Sequence, residues 1–116
     1  MIVTKDQMKT ETWMHARGGE GEVSFLHCAD PKSMGLRNIR IFSRITIPPC
    51  SSIGLHRHEN ETEYYFILQG SGVVSEDSGE THVKPGDLVI TQNKESHSIR
   101  NVTLEPLEFI AVVVLD

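Results

Sequence analysis

The sequence predicts an all-β fold, a sandwich or barrel of short strands in one domain. Turn-forming clusters recur about every 8 to 12 residues, the spacing typical of such folds. Between them, apolar residues either alternate with polar ones or run for one strand's length, and no helical period is sustained. Residues 1–20 are mostly polar and run into Arg17-Gly18-Gly19-Glu20-Gly21. They are expected as an N-terminal arm, with room for a turn or two of helix over Asp6 to His15, and residues 21–116 as the domain. In the stretch Ile39 to Ile47, Ile39, Ile41, Ile45 and Ile47 alternate with Arg40, Phe42, Arg44 and Thr46, and Pro48-Pro49 ends the run. Glu63 to Leu68 carries aromatic and β-branched residues and stops at Gly70. Val73 and Val74 lead into Glu76-Asp77-Ser78-Gly79, a hairpin turn by composition, and Thr81-His82-Val83 is the return strand. Pro85-Gly86-Asp87 turns the chain into Leu88-Val89-Ile90-Thr91. Ser96 to Val102 and Phe109 to Leu115 are the last strands.

A chain of 116 residues is one ordinary domain and buries roughly two-thirds of its unfolded surface. Sixteen acidic against eleven basic residues, a formal charge of −5, give no basic footprint for nucleic acid and no polybasic membrane patch. Hydrophobic content of 38% with 23% charged is globular composition. Cys28 and Cys50 form no C-x-x-C and are too few for a disulfide scaffold, so two reduced thiols are expected. The N-terminus has no apolar run of signal-peptide length, and the longest apolar run, Phe109 to Leu115, is a strand rather than a membrane span. A soluble, cytoplasmic protein is expected. Six histidines against one Trp and two Tyr are the one unusual feature.

The informative segment is Gly54-Leu55-His56-Arg57-His58-Glu59-Asn60-Glu61-Thr62-Glu63-Tyr64. On a strand, His56 and His58 project to one face and Arg57 to the other. Two imidazoles on one face, with a carboxylate shortly after, are donors that suit a borderline divalent transition metal. Glu63 heads the next strand, and its parity puts Tyr65 and Ile67 on its own face and Tyr64, Phe66 and Leu68 on the other. Glu61 shares that parity and competes as a ligand, whereas Glu59 and Glu61 otherwise read as a solvated turn. A bare H-x-H fits an exposed loop as well as a metal site. Tyr65 is a candidate wall of a substrate pocket or a core residue with its hydroxyl satisfied. Arg44 could reach a substrate carboxylate, although a strand arginine is more often solvated or paired. His15, His27 and His82 lack ligand-like neighbours and are expected near the surface. Gly18 to Gly21 lacks the continuation of a phosphate loop and reads as a flexible turn.

With the residues downstream, the segment resembles the two motifs of the cupins, in particular the small single-domain cupins of the conserved-barrel type. The first motif, G-x5-H-x-H-x(3,4)-E-x6-G, falls on His56, His58, Glu63 and Gly70, with Cys50 in place of glycine. The second, G-x5-P-x-G-x2-H-x3-N, falls on Gly86, His97 and Asn101, with Gln92 and Lys94 in place of proline and glycine. Seven of the ten fixed positions match, every metal-ligand position among them, and the motifs span residues 50–101. Glu61 lies outside this spacing. Cys50 implies a turn of another geometry over Pro48 to Ser51, because glycine alone takes a positive φ freely. Gln92 and Lys94 alter the turn before His97.

The resemblance implies a double-stranded β-helix, a jelly-roll barrel, with one divalent ion held inside by His56, His58, Glu63 and His97. Four protein ligands on an octahedral ion leave two positions for water, dioxygen or a bidentate substrate. Manganese, iron, nickel and zinc all suit these donors. The function implied is action on a small oxygen-rich molecule (a carboxylate, diketone or sugar derivative) by dioxygenase-, decarboxylase- or isomerase-like chemistry, with no catalytic residue assigned. The alternative is a metal-dependent binding or sensing module without turnover. An empty structural barrel fits less well, because burying three imidazoles and a carboxylate without an ion is costly. A homodimer is also implied, through the arm or the outward face of Ile39 to Ile47.

Overall fold

The computed structural model describes residues 1–116. Ten strands follow one another: β1 (Lys9–Met14), β2 (Glu22–His27), β3 (Ile39–Ile47), β4 (Ser52–Arg57), β5 (Glu61–Gln69), β6 (Gly72–Glu76), β7 (Gly79–Val83), β8 (Leu88–Thr91), β9 (Ser96–Arg100) and β10 (Leu107–Leu115). They build two antiparallel sheets, in the orders β1-β2-β3-β10-β5-β8 and β4-β9-β6-β7, the jelly-roll arrangement. The alternating run Ile39 to Ile47 is β3 residue for residue, and Glu76 pairs with Gly79, which leaves Asp77-Ser78 as a two-residue hairpin turn. Buried apolar side chains from both sheets meet between them, among them Ile45, Ile47, Ile67, Phe109, Val74 and Ile99.

The N-terminal segment differs from expectation. Its only helical turns are single 3-10 turns at Lys5–Gln7 and Ala16–Gly18, and Lys9–Met14 is a strand paired along its length with β2. Every residue of β1 is exposed, so the strand carries no apolar alternation to read. It is held by the β2 ladder and by a chain of side-chain hydrogen bonds. Trp13 Nε1 donates to Glu11 at 2.7 Å, Glu11 pairs with His27 Nε2 at 2.8 Å, and His27 Nδ1 lies 2.7 Å from Ser43 Oγ.

Two register shifts steer side chains toward the interior. On β4, Ile53 pairs with Ile99 but His56 pairs with His97, so three steps on β4 match two on β9. This bulge turns Leu55 out to solvent and His56 in, the reverse of a strict alternation from buried Ile53. On β3, Ile41 pairs with Val113 and Ile39 with Val114, which leaves Arg40 without an opposite residue. Its guanidinium reaches Glu61 on β5.

Candidate metal centre

Glu61, Glu63, Tyr65 and Ile67 alternate along β5, and all four are buried. Glu63 therefore points between the sheets toward His97 on β9 and His56 on β4. His58, just past β4, is fixed by its backbone: its N–H donates to Glu95 O at 3.0 Å and its carbonyl accepts from Lys94 N at 2.7 Å. One atom from each of His56, His58, Glu63 and His97 falls within a 4.8 Å cluster.

The three imidazoles are oriented alike. His56 Nδ1 donates to Gly54 O at 2.8 Å, His58 Nδ1 lies 2.6 Å from Glu61 Oε2, and His97 Nδ1 lies 2.7 Å from Thr91 Oγ1. A carbonyl and a carboxylate only accept, so His56 and His58 carry their proton on Nδ1 and turn the lone pair of Nε2 inward. His97 Nε2 lies 3.0 Å from His58 Nε2 and 3.1 Å from His56 Nε2. Lone pairs cannot bond one another at that range. Ligands at right angles on a shared ion, with bonds of about 2.1 Å, do stand this far apart.

Glu63 gives the second sign. Its Oε1 lies 3.1 Å from His58 Nε2 and 3.0 Å from His97 Nε2, yet it is buried without a hydrogen-bond partner. A buried carboxylate oxygen facing inward-turned imidazole nitrogens is completed by a cation. Burial pushes the carboxyl of Glu63 up, but the facing histidines, when they carry a proton on Nε2, outweigh it and lower the group below the usual carboxylate range. His58 is shifted up, by Glu63 first and then Glu61 against its burial, and His97 is shifted down by burial. The donor set of three neutral imidazoles and one carboxylate fits manganese, iron, nickel or zinc. When bound, such an ion would supply Lewis-acid polarisation of a coordinated oxygen.

Glu61 was expected in a solvated turn or as a rival ligand, and it is neither. It is buried, bonds His58 from behind, and is itself gripped by Arg40 through Nε at 3.0 Å and Nη2 at 2.8 Å. The sequence signal for this role was the shared parity of Glu61 and Glu63. The bulge that delivers Arg40 has none. Tyr65 is 2% exposed, its ring stacking on His97 with centroids 5.0 Å apart and meeting Phe109 at 4.5 Å. It also lines a cavity of about 70 Å³ beside the cluster, with Trp13, Ala16, Arg17, Phe25, Arg40 and Ile53 among the other walls. Arg44 stays on the outer face, paired to Glu108 at 2.8 Å. His15, His27 and His82 remain outside the cluster.

The turns with replaced glycines keep the glycine geometry. Cys50 has φ of +63° and Lys94 of +72°, so the backbone holds a left-handed residue at both positions without glycine. Gly70 does what no other residue can: its φ is +73° and a Cβ there would sit 2.2 Å from Pro106 O. Asn101 works away from the cluster, its amide donating to Ile47 O and Glu105 O and its Oδ1 accepting from Thr103.

Residues 43–113 match the family model of the cupin domain. The chain belongs to the cupin family. This cupin is 41% identical over 115 residues to an oxalate-binding protein of Thermotoga maritima, an alignment covering 99% of this chain and 94% of that one. A crystal structure from the same organism, described as a predicted oxalate decarboxylase, superposes with a TM-score of 0.92 at 40% identity over 100% of both chains. The polyketide cyclase RemF of Streptomyces resistomycificus shares the fold at a TM-score of 0.79 and 19% identity, over 100% of this cupin and 80% of that chain.

Proposed function

We propose that this cupin binds one divalent transition-metal ion at His56, His58, Glu63 and His97, and on it a small carboxylate of the oxalate type. The observation that carries the reading is the inward convergence of imidazole nitrogens on a buried, unpartnered carboxylate oxygen next to a small cavity. Its size supports a small ligand: 70 Å³ is roughly two waters' share of liquid volume. The name of the 41% identical Thermotoga maritima protein supports oxalate as the first acid to try. Manganese, iron, nickel and zinc all remain candidates for the ion.

Binding without turnover is the reading we favour. Apart from the candidate ligands His56, His58 and Glu63, the cavity walls are apolar, arginine, or the Tyr65 hydroxyl, which burial first and the charge of Glu63 second push well above its usual value. Such walls hold an anion but offer no group that exchanges a proton near neutrality. Turnover of decarboxylase type is the second reading, favoured by the description of the Thermotoga maritima structure. Calorimetric titration of metal-loaded protein with oxalate, followed by assay for carbon dioxide and formate, tests both. Saturable, metal-dependent binding with oxalate recovered intact is expected. Stoichiometric release of carbon dioxide moves the assignment to turnover, and absence of binding with metal in place overturns it. Two unpaired thiols fit the cytoplasm as its location, and we assign a homodimer as its working state.

A further inference from the structure

We propose that Arg17 docks the second carboxylate of a short dicarboxylate whose first carboxylate meets the histidine–glutamate cluster. This rests on the carboxylate reading above and names the residue that makes it specific. Two arginines line the cavity beside the cluster. Arg40 is committed, both ends of its fork bonded to Glu61. Arg17 lines the same cavity, is exposed to solvent, and has no side-chain hydrogen bond or ion pair. An unpaired guanidinium beside an apolar wall presents a planar set of donors that matches a carboxylate bidentately.

The backbone holds Arg17 there against its own preference. Its φ of +53° and ψ of +32° lie in the left-handed region, as does φ of +53° at the neighbouring His15. Arginine gains nothing from that conformation by itself, so the surroundings impose it. The turn is clamped onto β4: a Cβ at Gly54 would lie 2.2 Å from Arg17 O, and one at Gly19 would lie 2.3 Å from Ser52 O. Ser52 N donates to Glu20 O, and Ser52 Oγ accepts from Glu20 N. The glycine cluster expected as a flexible turn is thus a fixed mount, seated on the strand that carries His56. One element positions the candidate ligand and the candidate anion dock together.

Calorimetry on the full chain loaded with manganese(II) tests this, with oxalate as the dicarboxylate and acetate as the monocarboxylate. Arg17→Gln is expected to weaken oxalate on the order of 10- to 100-fold, with acetate affinity and metal stoichiometry unchanged. Arg17→Gly removes the side chain while relaxing the positive φ, so it keeps the fold, and it is expected to show the same loss. Unchanged oxalate affinity in both variants overturns the role of Arg17 and leaves the carboxylate reading standing. A metal-loaded parent protein that binds neither acid overturns both.

Discussion

Glu61 separates the ligands from the apparatus that aims them. It receives no inward role, yet it fixes the ring of His58 and keeps its proton on Nδ1, with Arg40 fixing Glu61 in turn. Losing such a partner costs a ligand's orientation and basicity rather than the ligand itself. Glu61→Gln is therefore expected to retain metal at full stoichiometry with affinity lowered about 10- to 100-fold, read by competition with a chelator. His58→Ala with His97→Ala should abolish stoichiometric binding; full retention would refute the ligand set. His56, His58 and Glu63 were suggested by spacing and residue type, whereas His97 and the set of four as a whole were legible only through the resemblance to the cupin motifs. The contribution of Arg40 was not legible, because it depends on a register shift between β3 and β10. Cys50 and Lys94 carry a residue-scale prediction of their own. Each replaces glycine at positive φ, a strain of roughly 1 kcal/mol for an L side chain. Cys50→Gly and Lys94→Gly are each expected to raise stability by up to about 1 kcal/mol in urea unfolding. A fall at either site would show that the side chain's own contacts outweigh the strain.

Among elements, β3 was legible from its alternation and β5 from its aromatic and β-branched residues ending at Gly70, and both bury alternate side chains. β1 was not, since all six of its residues are exposed and its stability comes from pairing with β2. The bulge in β4 was equally silent, although without it the parity from Ile53 would send His56 outward. On the outer face, Glu108 of β10 ties β3 through Arg44 at 2.8 Å and Thr46 at 3.1 Å. The Arg44 hydrogen bond holds the Glu108 carboxyl below its ordinary 4.5. A depressed folded-state value means that the stabilisation is complete above the unfolded value and is lost as pH falls through the folded one. Glu108→Gln should therefore lower the urea midpoint at pH 7 and leave it close to the parent's near pH 3. The loss at pH 7 is expected to stay under about 1 kcal/mol, since the pair is partly exposed. An equal loss at both values would assign the effect to packing.

For the whole molecule, the larger sheet turns one face to the barrel interior and leaves the other uncovered. On that outer face Phe42 pairs with Val112, Val112 with Tyr64, and Tyr64 with Ile90, while Ile110 pairs with Phe66 and Phe66 with Leu88. Phe42, Phe66, Leu88 and Ile90 are each exposed by more than a third of their surface. A connected apolar field of this kind is the surface on which the proposed homodimer would form. Phe66→Asp with Leu88→Asp should turn a sedimenting dimer into a monomer without loss of metal. A parent protein that sediments as a monomer would remove the dimer, and a double variant that remains dimeric would move the interface elsewhere. Both sheets contribute side chains to one buried cluster, so the proposed function stands on the metal it would hold. Elemental analysis of protein purified without added metal or a chelating tag tests it most directly. About one divalent transition-metal ion per chain is expected. Protein that carries no metal, and takes up none on titration with manganese, iron, nickel or zinc, would contradict it.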